Sequence, residues 1–375
     1  MKFVIEKTVL LKGISKIQGI TNRKTDFPIT ASVLIRTRGM NVSVYATDLE
    51  TGFEGIYPAD IEIEGQVAVL SKKLFEIVKD FPSDFIQFEL VDEKMLKITA
   101  SDNVTKAEYH ILCKAPEDFT ILTDIDELVL YEVDALILKD MIEKTIITGI
   151  PNDEDRAHLI GLYLEIQEGD QNIIRMVGTD GHRMIKIDRQ YEVSTNIPME
   201  GSVILSKKGM TDLVKLIESG GQLEIGFRED NFIAKKDEEI LVSRLLEGDF
   251  PDPNEIIPND LETHLKLSKQ TFSSLLKRML ILTDERSRAV VFNLYNDRLE
   301  VTATNPEIGD SNEEIPIEFD GTPFEVAFNP KFFIDSLNEI KSDIIIIKIV
   351  DAANPCIMFG EDDPNFISVI MPMTV

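Results

Sequence analysis

The chain repeats one pattern of strands and helices three times. Each copy begins with a short apolar strand that leads into an amphipathic helix, at residues 3–24, 131–148 and 265–283. Apolar residues occupy the same four offsets in every copy: Phe3, Ile5, Leu10 and Ile14, then Tyr131, Val133, Leu138 and Ile142, then Leu265, Leu267, Phe272 and Leu276. Because self-similarity at a fixed period indicates repeated structural units, the sequence predicts three like domains.

A second strand and helix follow in each copy. Good N-cap residues, Ser71, Ser206 and Asn329, precede these helices, and Pro330 suits a first helical position. Each helix carries an acid at one position: Glu76, Asp212 and Asp335. Between the two helices, alternating strands end in a shared turn: Thr47-Asp48, Thr179-Asp180 and Thr304-Asn305.

The repeated pattern predicts an α+β fold in which each domain has two helices packed on antiparallel sheets. We place the domains at residues 1–122, 128–253 and 256–375 and call them the first, second and third repeats. Like domains joined by like interfaces form either a closed ring or an open filament.

The charge of the chain is unevenly distributed. The net charge of −28 argues against a nucleic-acid partner, because Lys and Arg supply most of the affinity for phosphates. The predicted helices, at 8–24, 71–81, 134–148, 206–219, 268–283 and 329–341, nevertheless hold 17 Lys and Arg against nine Asp and Glu. They net +8, and the remaining chain carries −36.

Helices with this bias predict a basic surface that contacts DNA phosphates without reading sequence. The predicted DNA-binding residues are Lys12, Lys16, Arg23, Lys24, Lys72, Lys73, Lys79, Lys139, Lys207, Lys208, Lys215, Lys269, Lys277 and Arg278. An acidic remainder discourages contact with a duplex elsewhere on the protein.

Catalytic and metal motifs are sparse. Asp180 and His182 could pair as base and orienter in a hydrolase, but Asp-Gly is also a hairpin signal and the shared turn framework favours a structural role. The acidic run at 152–155 could hold a divalent ion, although a solvated loop is the simpler interpretation. Cys113 and Cys356 lie too far apart in sequence for a metal motif, so we expect free thiols. We therefore expect no enzymatic activity, no cofactor and no metal.

Hydropathy predicts neither a secretion signal nor a membrane span. Lys2 and Glu6 flank a three-residue apolar run, and the apolar run 344–347 ends at Lys348. We expect a cytoplasmic protein.

Four motifs resemble one family along nearly the whole chain. They are Thr179-Asp180-Gly181-His182-Arg183-Met184, Glu247-Gly248-Asp249-Phe250-Pro251-Asp252, Asp351-Ala352-Ala353 and Met371-Pro372-Met373. In this order, on a threefold repeat, the sequence resembles the β subunits of bacterial DNA polymerase III, the sliding clamps.

This resemblance implies a head-to-tail homodimer that closes as a ring around double-stranded DNA. It also implies a groove between the second and third repeats that binds short peptides of polymerase subunits, the clamp loader and repair proteins. The groove residues carried over are Leu159, Thr179, Gly181, His182, Arg183, Met184, Pro251, Ile256, Ile344, Ile346, Val369, Ile370, Met371, Pro372 and Met373. The dimer seam would include Tyr109, Ile111, Ile281 and Leu282.

Two positions depart from the family pattern. Glu255 stands where a basic residue is common, and Thr374-Val375 follow Met373 where the family often has an arginine. Both changes remove positive charge and leave the preferred peptide open. A non-encircling scaffold that uses the same groove is the alternative function.

Overall fold

The computed structural model describes all residues except 24–25, 93, 103–105, 122–127, 149–160, 168–171, 192–200, 258–263, 284–287 and 375. The described residues pack into two compact units. The first contains those within 1–139 and 205–245, and the second those within 140–193, 201–204 and 246–374. No helix in these ranges is both long enough and apolar enough to cross a membrane.

The first repeat begins with a strand and a broken helix. Its elements are β1 (Lys2–Glu6), α1 (Lys7–Lys16), α2 (Gln18–Thr21), β2 (Ser32–Arg38), β3 (Asn41–Thr47), β4 (Thr51–Pro58), β5 (Asp60–Ile63), β6 (Gly65–Leu70), α3 (Ser71–Lys79), β7 (Phe85–Asp92), β8 (Met95–Ala100) and β9 (Glu108–Lys114).

The second repeat follows the same order, except that its described residues contain no counterparts of α2 and β5, and a short connecting helix comes after it. Its elements are β10 (Tyr131–Asp134), α4 (Ala135–Ile146), β11 (Leu162–Gln167), β12 (Ile173–Thr179), β13 (Arg183–Gln190), β14 (Ser202–Leu205), α5 (Lys207–Leu216), β15 (Gln222–Arg228), β16 (Asn231–Lys236) and β17 (Glu239–Leu246), and the connecting helix is α6 (Pro253–Ile256).

The third repeat completes the chain with a further copy of this order. Its elements are β18 (His264–Ser268), α7 (Lys269–Met279), β19 (Val290–Leu294), β20 (Arg298–Asn305), β21 (Gly309–Pro316), β22 (Phe324–Phe328), α8 (Pro330–Glu339), β23 (Ile344–Lys348), β24 (Cys356–Gly360) and β25 (Asp363–Ile370).

Strand register confirms that the three repeats are equivalent. The opening strand of each repeat pairs antiparallel with the strand that follows the second helix, in the pairs β1–β7, β10–β15 and β18–β23. The aligned residues meet corresponding partners: Phe3 with Phe88, Tyr131 with Ile225, and Leu265 with Ile347. Ten of the twelve aligned apolar residues are buried, and Tyr131 and Val133 are half-buried. The predicted α+β fold with antiparallel sheets is confirmed.

Some predicted helix boundaries were wrong. The helix predicted over 8–24 breaks at Ile17 and ends at Thr21, so Arg23 lies beyond it. Ser71 is the first residue of α3 rather than its cap, and its hydroxyl contacts Gln18 and Thr21 of the neighbouring helix. Asn329 does cap α8, accepting from the backbone N–H of Lys331, with Pro330 in the first turn.

Within each unit, one strand pairing joins consecutive repeats. In the first unit β4 pairs antiparallel with β17, aligning Phe53 with Leu241. In the second unit β13 pairs antiparallel with β25, aligning Ile185 with Ser368. In both cases the strand just after the Thr-Asp turn of one repeat meets the last strand of the next.

Candidate functional site

A tight turn closes β12 and β13 and forms one wall of the candidate site. The Asp180 Oδ1 atom accepts hydrogen bonds from the backbone N–H groups of His182, at 3.0 Å, and Arg183, at 2.9 Å. The Thr179 hydroxyl donates to the Arg183 carbonyl at 2.7 Å. Gly181 has a φ of +83°, a conformation that side chains other than glycine's strongly disfavour. The turn is therefore fixed by its own side chains.

These bonds explain why Asp180 and His182 do not form an acid–base pair. The Asp180 Oδ2 atom accepts from Arg183 Nε at 3.0 Å, so both carboxylate oxygens are engaged within the turn. His182 is exposed. Among the described residues, no group of three or more His, Cys, Asp or Glu could hold a metal ion. The acidic run at 152–155 lies outside the described residues.

An apolar cavity of about 460 Å³ opens beside this turn, entirely within the second unit. Its lining residues are Thr179, Gly181, Arg183, Met184, Asp249, Phe250, Pro251, Ile256, Val369 and Met371. Of these, Met184 and Val369 belong with Val177 to a buried cluster, on which Tyr163 and Phe250 pack. The Tyr163 and Phe250 rings stack with centroids 5.1 Å apart. A cavity with mostly apolar walls and a few polar groups suits a short peptide or a drug-sized ligand.

The structure brings together about half of the predicted groove residues. Thr179, Gly181, Arg183, Met184, Pro251, Ile256, Val369 and Met371 line the cavity, and Leu159 lies outside the described residues. His182, Ile344, Ile346, Ile370, Pro372 and Met373 are not among the lining residues.

Strand geometry explains several of these differences. Ile370 is fully buried and pairs with Arg183. Ile344 and Ile346 belong to β23, which pairs with β18 and β24. Sequence reasoning missed Asp249 and Phe250 as lining residues, although both belong to the Glu247–Asp252 motif.

The predicted DNA-binding residues divide into exposed and structural groups. The exposed members are Lys12, Lys72, Lys73, Lys79, Lys208, Lys277 and Arg278, while Lys139, Lys207 and Lys215 are half-buried. Lys24 lies outside the described residues. In the first unit, α1 packs on α5, and Lys12, Lys16 and Lys215 line a hollow of about 420 Å³.

Five of the predicted DNA contacts are engaged inside the protein, which corrects the expectation that they face solvent. The Lys207 Nζ atom is buried, and Lys215 contacts buried Asp212 at 2.8 Å. Lys16 pairs with Glu239, which also accepts from the Tyr57 hydroxyl. Lys269 donates to the Ile340 carbonyl. Arg23 contacts Asp48 at 2.6 Å and also Asp212. Glu239, Asp48 and Asp212 are all buried, so Lys16 and Arg23 compensate carboxylate charge inside the protein.

The pKa of Arg23 reflects this environment. Burial opposes the charged guanidinium, but Asp212 and Asp48 outweigh burial and raise the pKa of Arg23. The group therefore stays charged and paired, which makes it a structural cation.

The cysteines are free, as expected. Burial raises the pKa of the Cys113 thiol to about 11 and raises that of Cys356 still further. Neither thiol is activated as a nucleophile.

The predicted seam residues lie near two strand edges. Tyr109 and Ile111 are on β9, and Ile281 and Leu282 follow α7. Tyr109 and Ile281 are exposed, whereas Ile111 and Leu282 are half-buried. Leu112, on β9, and Ile308, just before β21, are 71% and 68% exposed.

Three family models cover almost the whole chain. The N-terminal, central and C-terminal domains of the DNA polymerase III beta subunit match residues 1–123, 132–252 and 254–374. The chain belongs to the DNA polymerase III beta subunit family. This family consists of the bacterial sliding clamps, processivity factors of DNA replication that bind DNA and polymerase partners. Sliding clamps are not catalytic, so family membership confirms that the chain is not an enzyme.

Relatives match over their full length. The beta sliding clamp of Chlamydia pneumoniae is 30% identical over 373 residues, covering 100% of this chain and 99% of the relative. The Caulobacter crescentus pol III beta structure has a TM-score of 0.92 at 29% identity, with 100% of both chains covered. A Pseudomonas aeruginosa sliding clamp bound to griselimycin has a TM-score of 0.91 at 26% identity, again covering 100% of both chains.

The structural role of Arg23 can be tested against an exposed lysine. We expect Arg23→Ala to lower the free energy of unfolding by about 2 kcal/mol, because it removes the charge-assisted bonds to Asp48 and to the Oδ2 atom of buried Asp212, while Lys215 stays on Oδ1. Lys12→Ala, on an exposed helix face, should change it by less than about 0.5 kcal/mol. Urea denaturation followed by circular dichroism measures both values. Equal effects of the two substitutions would contradict the structural assignment.

Proposed function

We propose that two copies of this chain join head to tail in a ring that encircles duplex DNA and slides on it without sequence preference. The observation that carries the proposal is the repeated junction. The strand after the turn of one repeat pairs with the last strand of the next, in β4–β17 and in β13–β25. Among the described residues, neither β21 nor β9 pairs with a strand of another repeat.

Both of these edges are open in the described structure. β21 pairs with β20, and β9 pairs with β8 along Glu108–Leu112 and with β6 only at Cys113 and Lys114. Pairing β21 of one copy with β9 of a second copy repeats the existing junction. Two such contacts close six repeats into a ring, because head-to-tail contacts form a ring when their rotation closes.

Equivalent residues also define the register of this seam. In the first junction Arg244 N–H donates to the Glu50 carbonyl at 2.8 Å, and in the second Met371 N–H donates to the His182 carbonyl at 2.9 Å. Through the β8–β9 and β20–β21 pairings, the equivalents in the first and third repeats are Leu112 and Ile308. Leu112 N–H of one copy would donate to the Ile308 carbonyl of the other.

The side chains fit this register. Leu112 and Ile308 are among the most exposed large apolar residues of the chain, and the seam would cover both. Two residues along the seam, His110 would face Asp310, and further on Lys106 would face Glu314. Lys106 and Glu314 carry opposite charges, which stabilise facing strands and discourage other registers.

A substitution at this register should separate the copies. Leu112→Asp places a carboxylate against Ile308, so we expect a mass of one chain at micromolar concentration, whereas the wild type has the mass of two. Ile308→Asp should act likewise, and Met40→Asp, at an exposed turn, should leave the dimer intact. Sedimentation equilibrium measures the mass. A wild-type monomer would favour the non-encircling scaffold instead.

The proposed DNA contacts are the exposed basic residues Lys12, Lys72, Lys73, Lys79, Lys208, Lys277 and Arg278, together with half-buried Lys139 and Lys215; the buried Nζ atom of Lys207 excludes that residue. They contact phosphates, so affinity from charge alone falls steeply with salt. Retention by a closed ring depends on topology instead.

This difference gives a direct test. In a Cys113→Ser background, Leu112→Cys and Ile308→Cys allow a short bismaleimide to seal the proposed seam around a nicked plasmid. We expect the sealed protein to stay on the circle in about 1 M salt, where charge contacts are screened. Cutting the circle once should release it. Retention that is equal on circular and linear DNA would overturn encirclement.

The cavity of the second unit supports a partner-binding groove. We propose that it binds short apolar segments of polymerase subunits, the clamp loader and repair proteins, and that it binds griselimycin as the Pseudomonas relative does. Apolar and methionine side chains give a surface that adapts to several ligands. Binding to replication proteins on chromosomal DNA supports a cytoplasmic location.

Phe250 forms a large part of this apolar wall. We expect Phe250→Ala to weaken griselimycin binding at least tenfold, about 1.4 kcal/mol, because truncation of a central aromatic residue removes contact area. Phe324→Ala, in the third repeat away from the cavity, should leave the affinity unchanged. Isothermal titration calorimetry gives both constants, and unchanged binding by the Phe250 variant would place the ligand elsewhere.

Domain boundaries belong to the same proposal. We place three clamp domains at 1–122, 128–253 and 256–375. The equivalent strand registers and the ranges of the three family models support them.

A further inference from the structure

Each junction between consecutive repeats contains one arginine that bridges two carboxylates. In the first unit, Arg23 Nη1 donates to Asp48 at 2.6 Å and Nη2 donates to Asp212. Asp48 belongs to the Thr-Asp turn of the first repeat, and Asp212 to α5 of the second. The Asp212 side chain is only 1% exposed.

The second unit contains the same arrangement, built from a different part of the sequence. Arg183 Nε donates to Asp180 at 3.0 Å, and Nη1 donates to Asp335 at 2.7 Å. Asp180 belongs to the Thr-Asp turn of the second repeat, and Asp335 to α8 of the third. Asp212 and Asp335 occupy the equivalent position of the second helix, so both bridges connect a turn with the helix of the next repeat.

The two bridges differ in what lies beside them. Arg183 also lines the apolar cavity, and the turn it belongs to supplies Thr179 and Gly181 to the same wall. Its guanidinium makes further contacts in the surrounding structure. Nη2 donates to the Ile147 carbonyl at 2.8 Å, and the group lies 4.6 Å from the Phe332 ring centroid. Arg23 lines no part of this cavity.

We propose that Asp335, which does not line the cavity, is a positioning residue for ligand binding there. This proposal rests on the proposed function of the groove. Through Arg183, the Asp335 carboxylate holds the Thr179–Arg183 turn against α8 and so sets the position of the groove wall. Ligand affinity is thereby coupled to the contact between the second and third repeats.

The physical reason is the geometry of the guanidinium. Its planar donors contact Asp180, Asp335 and the Ile147 carbonyl in different directions, which fixes both the side chain and the backbone that carries it. A neutral amide at 335 removes the charge-assisted bond to Nη1. The arginine then loses one of its fixed points, and the turn samples positions in which the wall is displaced.

The test compares two isosteric substitutions in the full chain, with griselimycin as the ligand. We expect Asp335→Asn to raise the dissociation constant about tenfold, a typical size for coupling between sites. Asp212→Asn breaks the equivalent bridge of the first unit, so it should lower the melting temperature while leaving the dissociation constant within about twofold of the wild type. Calorimetric titration and thermal unfolding give the two quantities.

Two further variants separate positioning from general destabilisation. Asp335→Glu keeps the carboxylate, and we expect binding within about threefold of the wild type. Arg183→Lys cannot contact all three acceptors together, so adding Asp335→Asn to it should cause little further loss. If Asp335→Asn alone folds poorly, these variants still test whether Asp335 positions the groove wall.

The outcomes are distinct. A wild-type chain that does not bind griselimycin contradicts the proposed groove ligand. A wild type that binds, with Asp335→Asn no weaker than Asp212→Asn, overturns the positioning role. Losses that are additive in the Arg183→Lys background, or an Asp335→Glu variant that binds as weakly as Asp335→Asn, overturn it as well.

Discussion

The structure depends on one backbone interaction, the antiparallel pairing between the strand after the turn of one repeat and the last strand of the next. In β4–β17 and β13–β25 this pairing has the same register and ends in the same inter-repeat hydrogen bond. A slip by one residue would exchange the buried and exposed faces of both strands. The position of each turn relative to the next repeat is therefore fixed by the sheet and not only by local side chains.

The charges follow from this arrangement. A chain with a net charge of −28 repels itself, and burying a charge without a partner costs several kcal/mol. At each junction a single arginine lies between carboxylates of two repeats, as Arg23 does with Asp48 and Asp212. The arginine reduces the repulsion between the carboxylates and gives each buried charge a partner. The basic residues thus fall into two groups. Exposed lysines such as Lys12 and Lys72 stay available for phosphates, while Arg23 and Lys16 neutralise buried acids.

Sequence reasoning predicted the fold well because the repeat signal is local. Aligned apolar residues such as Leu10, Leu138 and Phe272 are buried at equivalent positions, since the 3.6-residue period of a helix is visible in a single chain. Ser71 shows where this reasoning fails. It is a residue type that suits a helix cap, but its hydroxyl bonds to another helix, because tertiary contacts decide which hydrogen bond forms.

The candidate sites were predicted only in part, for a related reason. Nothing in the sequence distinguishes Arg23 from an exposed basic residue such as Lys12, because its carboxylate partners Asp48 and Asp212 are far away along the chain. Phe250 belongs to the motif from which Pro251 was predicted as a groove residue. Which residues of the motif face the cavity depends on packing, which the sequence does not show.

The groove is built by the junction between two repeats rather than by any one domain. Its walls come from the second repeat at Thr179–Met184, from the connection at Asp249–Ile256 and from the third repeat at Val369 and Met371. The β13–β25 pairing brings the first and last of these together, and His182 bonds Met371 directly through the backbone. A pocket built this way exists only when consecutive repeats are docked in register. Since docking in register also places Arg183 between Asp180 and Asp335, the shape of the groove and the integrity of the junction depend on the same residue.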